Sequence, residues 1–207
     1  MTGDQLAALI ARAMPTLATA QEELRALDAA LGDGDLGITV SKGAAAVQTA
    51  VEALPDGSAP AAVLRAAGQV FASANPSTMA ALTGGALLAA AKEVGDATDV
   101  DRALVLRLCQ AAAGRIADRG KAVRGDKTVL DALLPSIEAL AASTESASTA
   151  ALTAAVEAAE AGVRDTAGKI SQRGRAAWIG ERSAGTPDPG ATAYVRLLQA
   201  LRDAWAA

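Results

Sequence analysis

An all-α fold of about eight helices is what this sequence predicts, and three observations carry that prediction. Of the 207 residues 51% are hydrophobic but only 2% aromatic, with alanine the most visible contributor. Alanine has the best helix propensity, and small side chains let helices approach closely. Gly, Pro and Asp punctuate the chain into helix-length pieces, and nothing alternates with a period of two for long enough to suggest a sheet. The length suits one core, so a single domain over 1–207 is expected.

The pieces follow in order. The first, 4–30, runs up to the Gly32–Gly37 turn and carries Pro15, which should kink or interrupt it. The second, 38–53, stops before Pro55-Asp-Gly, and the third, 60–74, opens on Pro60 and stops at Asn75-Pro76. The fourth and fifth, 77–93 and 99–118, are closed by Gly95 and Gly120. The sixth, 128–142, shows its period well in Val129, Leu130, Leu133, Leu134, Ile137 and Leu140, with Pro135 as a second expected kink. The seventh, 149–170, follows an Ala/Ser/Thr-rich stretch, Ala141–Ala155, that looks like a loop leading into a helix. The eighth, 191–206, places Tyr194, Leu197, Leu198, Leu201 and Trp205 on one face and Arg196, Arg202 and Asp203 on the other.

Charge and residue usage exclude several classes. The formal charge of −4, with Lys and Arg scattered apart from a modest cluster over Arg115–Lys127, argues against nucleic acid as a partner. No run approaches a membrane span and the N-terminus lacks a signal-peptide pattern, so a cytoplasmic protein is expected. Cys109 is the only cysteine and is expected to pack as a small hydrophobe. There is no histidine, which removes a His base, a His metal ligand and the usual Ser-His-Asp and Cys-His systems from this chain.

Four segments mix glycine with polar residues where helices should start or end: Asp28–Thr39, Asn75–Gly85, Gly120–Asp131 and Gly174–Ala191. Up-and-down helices would bring such connections together at one rim. Asp28, Asp33 and Asp35 crowd three carboxylates into a glycine-rich turn, which suits a hard cation such as Mg²⁺ or else a solvated capping turn. Gly120–Thr128 could cradle an anion ahead of the next helix, or simply cap it through Asp126 or Thr128. Asn75-Pro-Ser-Thr78 is open to the same two readings. In Gly174–Gly190, Pro187 and Pro189 stiffen a turn that could be a plain loop, or a wall for a nucleobase with Arg175 pairing a phosphate.

Together these segments resemble the nucleotide-binding L subunit of dihydroxyacetone kinases, the DhaL or DAK2 domain. The resemblance runs from about Leu27 to the C-terminus. It rests on Asp28-x₄-Asp33-Gly-Asp35-x-Gly37, on Gly125-Asp-Lys-Thr-Val-Leu-Asp131, and on Gly174-Arg-Ala through Gly180-Glu-Arg-Ser183 to Asp188-Pro-Gly-Ala191. It implies an eight-helix up-and-down antiparallel barrel with the nucleotide at one rim. It also implies that Asp28, Asp33 and Asp35 hold two Mg²⁺ ions bridging the phosphates of ATP or ADP. Leu36, Gly37, Ile38 and Thr39 would lie along those phosphates, with Ser77 and Thr78 also touching them. Gly120, Thr128 and Val129 would line the nucleotide, Gly120 and Val129 beside the adenine. Arg175 would stand near the nucleotide, and Asp188, Pro189 and Gly190 would close the wall.

The activity implied is in-line phosphoryl transfer to dihydroxyacetone or a similar short ketose, with no general base supplied by this chain. The family's ketose is tethered through a histidine of a separate K subunit, so a K-type partner is expected. Two alternatives stay open: a nucleotide-loaded adaptor serving a phosphotransferase phosphocarrier, and the L subunit of a tetrose or polyol kinase. A homodimer is also left open. Departures from the family pattern are Leu36 for a common histidine, Val129 for methionine and Trp178 for tyrosine. Ser77-Thr78-Met79 stands in place of a Gly-Gly-Ala-Ser-Gly type turn.

Overall fold

A computed structural model describes residues 1–143 and 149–207. Among the described residues there are nine α-helices, one 3-10 helix and no named strand. The α-helices are α1 (Gly3–Ala18), α2 (Gln21–Leu31), α3 (Leu36–Glu52), α4 (Pro60–Ala74) and α5 (Thr78–Val94). They continue as α6 (Arg102–Gly120), α7 (Leu130–Ala142), α8 (Thr149–Ala167) and α9 (Pro189–Ala206), and the 3-10 helix spans Arg175–Ser183.

Eight helices close a ring. α1 packs on α3, α3 on α4, and so on in chain order to α8 on α9, and α9 returns to α1. α2 lies over one end against α3, α9 and the 3-10 helix. Contacts between loops fix the alternation of direction. At the first end the Met1 ammonium donates to Val100 O (3.1 Å), Gly57 N–H to the Asp4 carboxylate (2.9 Å) and Arg102 to Leu140 O (2.8 Å). At the other end Asn75 Nδ2 donates to Thr39 Oγ1 (2.8 Å) and Lys127 to Ala167 O (2.8 Å). The eight staves therefore run up and down, as an antiparallel barrel requires.

Local chemistry explains the helix starts. Thr2 and Gln5 form a capping box on α1, Ser77 accepts from Ala80 N–H, Asp101 from Leu104 N–H and Asp188 from Ala191 N–H. Pro60 and Pro189 occupy first-turn positions where no N–H is needed. Interiors are filled by Leu, Val and Ala, with Phe71 as the one buried aromatic ring in the largest cluster.

Three expectations need correction. The stretch 4–30 is two helices, because Thr19 turns its hydroxyl and its N–H back onto Thr16 O and ends α1 there. Gly174–Ala191 is not an irregular loop throughout, since Arg175–Ser183 winds into 3-10 turns joined at Gly180 (φ 57°). Neither proline interrupts its helix: α1 continues past Pro15 and α7 past Pro135. Pro135 leaves Asp131 O without its usual donor, and α8 presses there; a methyl built on Gly162 would fall 1.8 Å from that oxygen. Part of the Ala141–Ala155 stretch, residues 144–148, lies outside the described residues.

Candidate metal and nucleotide site at one rim of the barrel

Asp28 is in the last turn of α2, Asp35 immediately precedes α3 with no side-chain cap bond to it, and Asp33 sits on the turn between them, where Gly34 takes a φ of 75°. One carboxylate oxygen from each aspartate lies within 4.8 Å of the others. Asp28 Oδ2 also accepts the Leu36 N–H (3.1 Å), so α2 is stitched to the first turn of α3. Gly37 makes this approach possible: a methyl there would stand 2.0 Å from Gln21 O on α2.

Three converging carboxylates need a cation. Arg175 pairs with both Asp33 and Asp35, its Nη2 3.2 Å from Asp35 Oδ1. Desolvation, reinforced by the Asp28 charge, pushes the Asp35 carboxyl above its ordinary pKa. All-oxygen anionic donors on a glycine-rich turn fit a hard divalent ion, which keeps waters and takes remaining ligands from phosphates. The first-turn amides of α3 open beside the cluster, and a helix start is a natural anion site.

The four segments do share one rim. Asn75 reaches Thr39, and Arg175 reaches the aspartates. Gln172 N–H donates to Asp126 O (3.0 Å) and Arg173 pairs with the Asp126 carboxylate (2.8 Å), which joins the third segment to the residues that lead into the fourth. A methyl on Gly190 would meet Val129 Cβ at 4.0 Å, so Val129 and the Asp188–Gly190 turn face each other.

Individual expectations are sharpened. Leu36 and Thr39 turn their side chains inward, at 6% and 1% exposure, and their N–H groups donate to Asp28 Oδ2 and Asp35 O; Gly37 is buried and Ile38 exposed. Ser77 caps α5 with its oxygen and stays half-buried, while Thr78 is exposed. Gly120, Thr128, Val129, Asp188 and Gly190 are all partly exposed along the rim, and Pro189 is buried. At the start of α7 Thr128 Oγ1 accepts the Leu130 N–H (3.3 Å), whereas Asp126 serves the turn upstream. The buried carboxylate of Asp131 accepts Thr128 N–H (2.8 Å) and Gly125 N–H (2.5 Å), while Asp126 accepts Val123 N–H. Asp188 lies among Lys127, Asp131 and the α9 amides, and desolvation raises its carboxyl pKa to about 6.

Sequence reasoning missed Lys127, which is 1% exposed and donates to three backbone carbonyls. A lysine in a polar, glycine-rich run gives no sign of burial. The modest basic cluster gave no such signal either, since its members diverge: Arg124 pairs with Glu138 on the outer face.

The family model described as DAK2 domain matches residues 30–203. The chain is 38% identical over 205 residues to D-erythrulose kinase of Mycolicibacterium smegmatis, covering 95% of this chain and 35% of that protein. It is 31% identical over 203 residues to the PEP-dependent dihydroxyacetone kinase, ADP-binding subunit DhaL, of Escherichia coli, covering 95% of this chain and 94% of that one. Among solved structures it is similar to the dihydroxyacetone kinase from C. freundii in complex with AMP-PNP and Mg²⁺, with a TM-score of 0.76 and 25% identity. That match covers 95% of this chain and 33% of the other. The chain thus spans about a third of the length of the erythrulose kinases it matches, 32% and 35% for the two from M. smegmatis. No helix among the described residues is long and apolar enough to cross a membrane.

Proposed function

The chain belongs to the DAK2 domain family, and from that premise we propose that it is the Mg²⁺- and nucleotide-binding half of a kinase for short-chain ketoses. The observation that carries the proposal is the triangle of Asp28, Asp33 and Asp35 oxygens set against the first turn of α3. On this reading the three aspartates hold Mg²⁺, two ions in the full site. The backbone of Leu36 to Thr39, with Ser77 and Thr78, lies along the phosphates. Val129 and Gly120 flank the base together with Thr128, and Asp188, Pro189 and Gly190 close the far wall.

When bound, Mg²⁺ neutralises phosphate charge and aligns the transferred group. The chain's own residues bind, orient and screen. Arg175, held on η-nitrogen contacts to Asp33 and Asp35, stands where a phosphate oxygen would complete its remaining donors. No histidine is present to tether or deprotonate a ketose, so the acceptor belongs on another chain or domain. Among the described residues, three of the five exposed large hydrophobics, Ile38, Val123 and Trp178, stand on the rim segments, with Ile170 just ahead of the fourth, and Trp178 is 85% exposed. An apolar fringe around the opening suits the docking of that partner.

The identities with erythrulose kinases make a ketotetrose an acceptor to test beside dihydroxyacetone. A second donor reading is favoured by the 94% coverage of the ADP-binding E. coli subunit: a retained ADP recharged by a phosphocarrier. Calorimetry of Mg²⁺-dependent ATP and ADP binding tests the core proposal. Asp33→Asn and Asp35→Asn should each abolish it, and undiminished binding in both variants would sink the assignment.

A further inference from the structure

Lys127 is a lysine with no access to solvent and every donor in use. Its backbone takes a left-handed φ of 61°, which turns the side chain down into the barrel end. Nζ donates to Ala167 O (2.8 Å), Lys169 O (2.9 Å) and Ser183 O (2.6 Å). Ala167 is the last residue of α8 and Ser183 the last of the 3-10 helix, so two of the acceptors are carbonyls of helix C-termini, Ala167 O taking the Gly185 N–H (2.8 Å) as well. An ammonium has three N–H groups, and here three carbonyls take them. No donor remains for a phosphate.

Of the three acceptors, Ser183 belongs to the fourth rim segment and Ala167 and Lys169 to the end of α8 and the link leading into that segment, whereas Lys127 belongs to the third. Two residues after Lys127 comes Val129, and five after Ser183 comes Asp188; these begin the two walls proposed for the base. Ser183 is itself fixed, accepting Ser171 N–H (2.9 Å) and donating to Gly180 O (2.6 Å). The other ties from the third segment run through Asp126, which takes a backbone bond from Gln172 N–H and pairs with the half-exposed Arg173 guanidinium just ahead of the fourth. An exposed pair of that kind is worth little. The buried tie is the one that sets the separation.

We infer that Lys127 is a positioning residue that fixes the gap between the Val129 wall and the Asp188–Gly190 wall without touching the nucleotide. The inference rests on the nucleotide reading above and adds to it a determinant of base binding. A point-like ammonium meets three carbonyls converging on one spot, which a planar guanidinium cannot do. With the tie cut, the two walls lose their register while the aspartate triangle, built on α2 and α3, keeps its own.

The test compares a ligand that has a base with probes that have none. Lys127→Met keeps the length and apolar stem. It should weaken Mg²⁺-dependent ATP binding by about tenfold or more, since small misplacements of positioning groups are costly. Binding of Mg²⁺-tripolyphosphate, and of Mn²⁺ alone, should stay within about twofold of wild type, because neither uses the base walls. A second variant, Lys127→Ala, is measured with and without propylammonium, which can refill the vacated space and restore three N–H donors. Recovery of ATP binding with propylammonium but not with tetramethylammonium supports the inference, and covers the case in which Lys127→Met does not fold. Equal weakening of ATP and tripolyphosphate, unchanged ATP binding, or no recovery with either amine overturns it. A wild-type chain that binds no ATP with Mg²⁺ overturns the nucleotide reading itself, and the role of Lys127 with it.

Discussion

Replacing Gly37 with alanine should separate the three aspartates proposed to hold Mg²⁺ without altering any of them. The added methyl would lie 2.0 Å from Gln21 O and 2.9 Å from Arg25 N, both backbone atoms of α2, which cannot swing aside. Ordinary contact begins at 3.4 Å, so α2 and the start of α3 must part by 3.4 − 2.0, or about 1.4 Å. The Leu36 N–H to Asp28 bond, now 3.1 Å, would open beyond hydrogen-bonding reach. Asp28 travels with α2 and Asp35 with α3, so the triangle loses its closeness. Overpacking of this kind costs about 1–3 kcal/mol of stability. A ligand set displaced by an ångström loses on the order of 100-fold in affinity. Thermal denaturation and calorimetric titration of ADP with Mg²⁺ measure the two effects. Gly114→Ala is the control, because open space surrounds that position in α6; it should gain about 0.5–1 kcal/mol from helix propensity alone. Binding by Gly37→Ala within about twofold of wild type would refute the geometric account.

Other outcomes follow from Asp188 and Trp178. The folded chain raises the Asp188 carboxyl from 3.8 to about 6, so between those values the folded state keeps a proton that the unfolded chain releases. Stability therefore falls as pH rises through that window, by up to about 3 kcal/mol at 1.36 kcal/mol per unit. Asp188→Asn keeps an oxygen for the Ala191 amide and should lose the decline, so its denaturation midpoints should gain on wild type from pH 4 to 7; parallel curves would contradict the assignment. Trp178→Ser removes an exposed ring and should shift stability by less than about 0.5 kcal/mol. It should leave ATP binding intact and slow only the phosphoryl transfer proposed to need a partner, as a coupled assay with increasing K-type partner would register through a raised half-saturation.

Most of the barrel is legible in the sequence, because alanine-rich runs between glycine and proline stops have few alternatives to helix. The break at Thr19 is not legible, since threonine hydroxyls turn back on the backbone inside helices as well as at their ends. The closeness of Asp28, Asp33 and Asp35 could be read because all three fall within one short glycine-rich stretch. Their pairing with Arg175 could not, because 140 residues separate it from Asp35 and only closure of the ring brings them together. Lys127 and Asp131 show the same limit. Both sit in a recognisable motif, yet their roles are internal, and a motif marks residues without saying which way they face.

The ring that joins α9 to α1 also decides how the chain can fold. Around most of its circumference neighbouring staves follow directly in sequence, or with only α2 between, so their contacts form cheaply. At the seam Arg12 bonds Ala204 O across 192 residues. That pairing bears the largest loop-closure entropy, and it is the one expected to form late. Joining Ala207 to Met1 through a short linker and cutting the Pro55–Ser58 turn would make the seam local and move the slow step to α3 and α4. The order of assembly then depends on where the polymer is cut, while the finished barrel stays the same.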